Sequence, residues 1–402
     1  MRLKFLVTVA ALLFVGAAQA APQIYLLNVA DNGLTGPGAE VLRGAAANAQ
    51  FILFGEDHGF ADSPIIVRAL AHDVRPLGFK RLVVEVGPRS TQIVTTALAH
   101  DGIPGVAKIV REAPMSLPFL ALKEDNLLIE DFLGRDAKGT PYIWGVDQEF
   151  IGSPVLHLKR LVELAPNKVA RSEAQRLYAT EQDAAGKGAF DKFFLNVTSA
   201  SSFDALADLF KGSKEAEGII ADLKESADIY QAWAHGRNYD NNAHRARLLA
   251  TNFLADYRAA AEPKPKVIFK MGIEHMALGT TTINTLDLGT LATMLARINN
   301  KTALRIAFLP AGGHNLGFAP GPGNPTKVQV YNASEFGDFF KAVGVDATQL
   351  SASGWTLIPL EPIRQALDTG GIAKLSPQSR FLLIGFDYLI TTPDAKAATF
   401  LY

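Results

Sequence analysis

Two stretches far apart in the chain share one design, and together they limit the folds open to it. Phe51-Ile52-Leu53-Phe54 runs into Gly55-Glu56-Asp57-His58-Gly59. Val267-Ile268-Phe269-Lys270-Met271 runs into Gly272-Ile273-Glu274-His275. A short apolar run closed by glycine reads as a fully buried strand. The polar residues after it fall in the loop at the strand's C-terminal end, the edge where open α/β sheets bind ligands. If the two strands are neighbours, His58 and His275 meet at one edge, where they can ligate a metal or activate a water. The glycines let the backbone turn sharply and approach a ligand closely.

The rest of the chain repeats a strand–helix rhythm. Asp62-Ser63-Pro64 reads as a helix start. That helix leads to the strand Arg81-Leu82-Val83-Val84-Glu85-Val86, a unit whose default pairing is parallel. Further strands are expected at 142–147, 304–309 and 356–360, and the apolar run 381–390 is read as ending the core. Residues 153–258 have helical period and no convincing strand. The Gly/Pro-rich stretch 312–325 reads as the longest mobile loop. The fold class expected is therefore α/β: a mixed, largely parallel central sheet flanked by helices. A single domain would span 21–402, with a large helical insertion over about 153–258.

The first twenty residues read as a secretory signal. Arg2 and Lys4 precede an apolar stretch, and Ala18-Gln19-Ala20 is a cleavage site that would leave Ala21 as the first mature residue. The apolar stretch is short for a membrane span, so the expectation is a periplasmic or secreted protein without a span after cleavage. The absence of cysteine excludes disulfides, thiolate metal sites and a cysteine nucleophile. With 39 basic and 40 acidic residues and no basic block interleaved with aromatics, nothing points to nucleic acid.

Several other residues could carry chemistry. Glu85 ends an apolar strand, where an unpaired carboxylate is costly to bury; it either pairs with a nearby cation or reaches the same edge as His58. Glu56 lies inside the first motif, while Asp57 can simply cap the following turn. Glu274 and Asp147 are weaker candidates, as is His314 in the Gly-rich loop. By spacing alone Arg245 reads as a surface ion-pair residue. His72, His100, His157, His235 and His244 have no supporting context. There is no G-x-S-x-G elbow, H-E-x-x-H, P-loop or G-x-G-x-x-G after a strand.

Taken in order, these motifs resemble those of the erythromycin esterase / ChaN / Tiki superfamily. Gly55-Glu56-Asp57-His58-Gly59 is similar to the esterases' G-E-x-x-H-G, and Glu85 follows in Val84-Glu85-Val86. Arg245 to Asn252 is similar to an R-x-x-x-M-A-x-N helix with Leu249 in the Met position. Gly272-Ile273-Glu274-His275 and the strand Phe386 to Ile390 complete the set. The esterases carry a second histidine where this chain has Gly272, a departure toward the Tiki- and ChaN-like G-x-x-H form. Arg68 sits near a further family arginine, one residue out of step.

The resemblance implies an α/β core with helical insertions, and a site built from His58, Glu56, Glu85, Arg245 and His275. Esterase-like members are thought to activate water on an ester without metal. Tiki-like members pair the two G-x-x-H motifs with metal-dependent peptide hydrolysis, and ChaN-like members are linked to haem. The expectation is an exported hydrolase of a small-molecule or peptide substrate. His58 would be general base or metal ligand, Glu56 and Glu85 its orienters or co-ligands, His275 second ligand or acid, and Arg245 the oxyanion stabiliser. His58, Glu85 and His275 could hold Mn²⁺, Zn²⁺, Co²⁺ or Fe²⁺. A periplasmic haem- or iron-binding protein without turnover is the alternative.

Overall fold

The computed structural model describes residues 22–402 apart from 31–32, 320–323, 332–336, 346–348 and 352, so the expected signal segment lies outside the described residues. The strands found are β1 (Tyr25–Ala30), β2 (Gly33–Thr35), β3 (Ala49–Glu56), β4 (Phe79–Val84), β5 (Ile143–Gly145), β6 (Lys266–Gly272), β7 (Thr302–Phe308), β8 (His314–Phe318), β9 (Thr326–Val330), β10 (Trp355–Pro359) and β11 (Tyr388–Thr391). Nine form one sheet in the order β2-β1-β10-β11-β7-β3-β6-β4-β5, and β8 pairs with β9 separately. From β11 across to β5 every neighbouring pair is parallel. The edge β2-β1-β10 is antiparallel, as is its junction with β11. The architecture is the α/β fold expected.

The two strands carrying the paired motifs are direct neighbours. Phe51 pairs with Val267 and the register runs unbroken to Glu56 opposite Gly272. Every residue of β3 is buried, as a central strand covered on both faces must be. Its side chains alternate between two cores. Ile52 and Phe54 enter one with Ile268 of β6, and Phe51 and Leu53 enter the other with Val267, Phe269 and Met271. Glu56 and Lys270 continue the even-numbered rows, so both point to the face covered by the helices Asp62–Val74 and Lys123–Glu130.

Between β5 and β6 lie the helices Pro154–Leu164, Lys168–Gly186, Phe194–Val197, Ala200–Leu209, Lys214–Ala234 and Asn238–Ala259. Most of them pack around a core of their own, with Leu158, Phe194, Phe203, Leu206 and Leu223 at its centre. The last helix packs on the sheet. Phe253 is fully buried, with ring centroids 6.0 Å from Phe51, 5.1 Å from Phe269 and 6.1 Å from Trp144. Asn252 adds a hydrogen bond to the Val146 carbonyl at 2.9 Å. These contacts fix the helix axis and carry Arg245, two turns earlier, over the ends of β4 and β5.

The structure departs from expectation in three places. The strand expected at 142–147 is the three-residue edge strand β5, and β4 stops at Val84, so Glu85 and Asp147 both lie just past strand ends. The apolar run 381–390 is divided: Pro377–Gly385 is a helix capped by Ser376, and only β11 beyond it is extended. Phe381, Leu382 and Leu383 are buried there while Ile384 is half exposed, a helical rather than an alternating pattern. The stretch 312–325 is partly ordered as a hairpin, with His314 opposite Val330 and Phe318 opposite Thr326; its residues 320–323 lie outside the described residues.

Among the described residues no helix is long and apolar enough to cross a membrane. Replacing Phe253 with Ala should leave a cavity against three rings and destabilise the fold by about 3–5 kcal/mol, measured by chemical denaturation. A change below about 1 kcal/mol would mean that this helix is not anchored through Phe253.

Candidate active site

Four neighbouring strands of the sheet end at one place. Glu56 closes β3 and His58 follows it. Glu85 follows β4 and Asp147 follows β5. His275 lies in the short helix Ile273–Met276 directly after β6. The helix Asn238–Ala259 adds Arg245 from above. The residues expected from the two motifs therefore meet.

Glu85 is their hub. It is 6% exposed, and Arg245 Nη2 donates to its Oε1 at 2.7 Å. His275 Nε2 lies 3.4 Å from the same oxygen, and the Gly272 N–H donates to Oε2. His58 Nε2 stands 3.8 Å from Oε2, facing it without a direct hydrogen bond. Burial alone would push this carboxyl up, but the positive charges of His275, His58 and Arg245 hold it well below the usual carboxylate range. Arg245 is held in turn by Asp147, with Nε donating at 2.9 Å and Nη2 also bonded.

His275 is 4% exposed, and its Nδ1 lies 2.9 Å from Asp287 Oδ2 at the N-terminus of the helix Leu288–Ile298. Against burial and the nearby Arg245, Glu85 and Asp287 raise its pKa to about 10. His275 is thus an imidazolium clamped between two carboxylates.

His58 differs from His275 in being reachable. Its side chain is 38% exposed and stacks on Phe119 with centroids 4.4 Å apart. Nδ1 bonds Glu56 Oε1 at 3.1 Å. Glu56 is fixed by Lys270 Nζ at 2.8 Å and by the Ser63 hydroxyl, and Lys270 also meets Asp125 at 2.8 Å. Burial disfavours the charge on His58, yet Glu56 and Glu85 outweigh it and raise its pKa above the ordinary imidazole value. A carboxylate can only accept, so in neutral His58 the proton sits on Nδ1 and the lone pair on Nε2.

Gly272 lets His58 and Glu85 come close to the backbone. A Cβ there would lie 3.0 Å from His58 Nε2 and 3.1 Å from Glu85 Oε2, so any larger residue would push these two side chains aside. Gly59 has a separate purpose. Its φ of 88° is left-handed, and its carbonyl accepts from Leu316 N–H at 2.8 Å, which docks the β8–β9 hairpin beside His58.

A cleft of about 600 Å³ opens over His58 and Arg245. Its walls are mainly apolar, among them Met115, Phe119, Ile151, Trp233, Leu316 and Phe318. Apart from His58 and Arg245, no Lys, Arg, His, Asp or Glu lines it. Glu56, Glu85 and His275 lie beneath this surface. A larger cavity, about 720 Å³, flanks the helix Pro88–Glu112 and β5 but contains neither His58 nor Arg245.

The expected metal ligands His58, Glu85 and His275 are brought together, but of their donor atoms only His58 Nε2 is free of a partner, while those of Glu85 and His275 are engaged. Both ring nitrogens of His275 face carboxylates, and both oxygens of Glu85 accept from the protein. Among the described residues no group of three or more His, Asp or Glu is arranged to hold a metal ion. A divalent ion at Glu85 would have to displace Arg245 or the Gly272 N–H, so these residues do not fit a metal as they stand.

Other candidates fall elsewhere. Arg68 pairs with Asp131 at 2.7 Å, Glu274 holds the Thr282 hydroxyl and N–H, and Asp57 accepts from Tyr331. His314 is an exposed residue at the start of β8. His157 is buried against Glu149 at 2.9 Å, where Glu149 caps the helix beginning at Pro88. Sequence reasoning missed Lys270, Asp125, Ser63 and Asp287. A lysine in the apolar run of β6 was a signal available for the first of these, because a buried ammonium demands a carboxylate partner.

No family model matches the chain, and no curated protein matches it in sequence. Solved structures do match. A histidine-to-asparagine variant of erythromycin esterase EreC in its open conformation is 14% identical with a TM-score of 0.58, covering 94% of this chain and 100% of that one. A protein from Bacillus cereus is 12% identical with a TM-score of 0.51, and a succinoglycan biosynthesis protein is 11% identical with a TM-score of 0.52. Each of the two covers 90% of this chain and 92% of its own. At such identities likeness speaks of architecture, and the chain has the erythromycin esterase fold.

Proposed function

We propose that the chain is an exported hydrolase that cleaves a neutral, apolar carboxylic ester by His58-assisted attack of water, without a metal ion. The observation that carries this reading is the Glu56–His58 pair at the floor of the cleft. Glu56 accepts a hydrogen bond from Nδ1–H and fixes the ring, leaving the Nε2 lone pair over the gap at Gly272. Export rests on the N-terminal segment read as a secretory signal. The neutral substrate follows from cleft walls that offer no charged group besides His58 and Arg245.

The reaction balances with these groups alone. His58 Nε2 takes a proton from water as the oxygen adds to the ester carbonyl carbon, and the C=O π pair moves onto the carbonyl oxygen. Arg245, whose Nη1 makes no hydrogen bond among the described residues, faces the cleft and stabilises that oxyanion. Collapse re-forms the carbonyl and expels the alkoxide, which takes the proton from His58. The products are an acid and an alcohol. Glu85 is the buried anion that positions Arg245, and His275 is the fixed cation that keeps Glu85 ionised.

Three outcomes test this. Purified protein should hydrolyse aryl esters of neutral apolar acids. His58→Ala should lower the rate by about 10²–10⁴-fold with an unchanged circular dichroism spectrum; comparable rates in the two proteins would sink the assignment. Because only neutral His58 is a base and its pKa is raised, kcat/KM should fall as pH drops through a midpoint above 6.5. Glu56→Gln removes one of the charges that raise it, so the midpoint should move to lower pH, and an unmoved midpoint would separate Glu56 from His58. Dialysis against a chelator should leave the rate unchanged; a loss restored by Mn²⁺, Zn²⁺, Co²⁺ or Fe²⁺ would return His58, Glu85 and His275 to the role of metal ligands.

A further inference from the structure

The cleft contains a second polar feature that the reaction above does not use. Tyr230, from the helix Lys214–Ala234, lines the cleft beside Gln148, which follows Asp147 past the end of β5. The Tyr230 oxygen accepts from the Ile151 N–H at 3.1 Å, and the neighbouring Gln148 side chain favours its phenolate form. With the Ile151 N–H accepted, the hydroxyl's own proton remains to be donated, and among the described residues no hydrogen bond receives it. Gln148 is 9% exposed, and its Oε1 has no partner. A buried polar atom left unpaired is costly, and Gln148 Oε1 beside a hydroxyl with a proton to donate, in a cleft with mainly apolar walls, indicates a ligand that satisfies them. Burial, only partly offset by Gln148, pushes the Tyr230 hydroxyl up to about 12, so it stays protonated throughout the working range.

We infer that Tyr230 is a catalytic residue of this site, donating its hydroxyl proton in a hydrogen bond to the substrate carbonyl oxygen opposite His58, with Gln148 holding the phenol in place. Resting as it does on the hydrolase reading, this assigns the oxyanion two donors of different kind. Arg245 is a cation already neutralised by Glu85 and Asp147. Tyr230 is a neutral donor that gains strength only as negative charge develops on the oxygen it faces. The unpartnered Gln148 Oε1 then accepts from a hydroxyl or amide N–H on the acyl side of the substrate. The substrate class is thereby narrowed to apolar esters carrying one hydrogen-bond donor close to the scissile carbonyl.

The test compares matched aryl esters and thionoesters of an apolar hydroxy acid. Tyr230→Phe keeps the ring but loses the donor, and it should lower kcat on the ester by about 10²-fold with little change in KM. On the thionoester, whose developing charge lies on a poorly accepting sulfur, the loss should be several times smaller. An equal loss on both would mark Tyr230 as a structural support of the Ile151 backbone and overturn the assignment. Unchanged kcat in Tyr230→Phe beside a large loss in Gln148→Leu would transfer the donor to Gln148 and overturn it likewise. If the wild-type protein hydrolyses neither compound nor any other ester, the hydrolase reading itself fails and this assignment with it. If the wild type is active and Tyr230→Phe matches it, only the role of Tyr230 fails.

Discussion

A carboxylate in a protein interior keeps its charge only if cations and N–H groups replace the water it has lost. Glu85 meets that condition with partners from three separate parts of the chain: Arg245 from a helix after the insertion, His275 from the turn after β6, and the Gly272 N–H from β6 itself. Removing any of them would leave an uncompensated charge, so the positions of β4, β6 and the Arg245 helix are coupled through one side chain. Neighbouring ion clusters extend the same logic. Lys270 stands between Glu56 and Asp125, and Arg245 is shared with Asp147. The edge of the sheet is thus a network of alternating charges, and His58 is its member most open to solvent.

That network explains why two histidines of similar sequence context have different chemistry. His275 sits between Asp287 and Glu85 and cannot lose its proton at ordinary pH. His58 has one carboxylate at hydrogen-bonding distance and a second farther off, with an aromatic ring on one face and the cleft beside it. The asymmetry lies in the distances and not in the motif, since each histidine follows its glycine by the same number of residues.

Much of this was legible in the chain. Parallel strands buried on both faces announce themselves as unbroken apolar runs, which is why β3, β4 and β6 could be read and why His58, Glu85 and His275 could be placed at one edge. Arg245 could not be read from spacing, because what brings its guanidinium to Glu85 is the tertiary docking of Phe253; only the family resemblance pointed to it. Lys270 lies within the second strand motif, where the apolar residues on either side mask it. Ser63, Asp125 and Asp287 belong to the helices packed around that edge, and a residue that serves as a partner has no local pattern of its own. The division of 381–390 into helix and strand escaped notice because a short apolar run fits either period. The hairpin at 314–330 was hidden by its Gly and Pro content, which marks turns but does not forbid the short strands between them.

The roof over His58 is assembled from parts with separate origins. The hairpin hangs from Gly59 by a backbone hydrogen bond, and the ring of its Phe318 meets Phe190 of the helical region at 5.8 Å. Neither segment contributes to the nine-stranded sheet or to the ion network around Glu85. The shape of the chamber can therefore be rewritten in either segment, ring by ring, while the charged floor stays as it is. In such a molecule reactivity and selectivity are inherited on different stretches of chain, free to change at different rates.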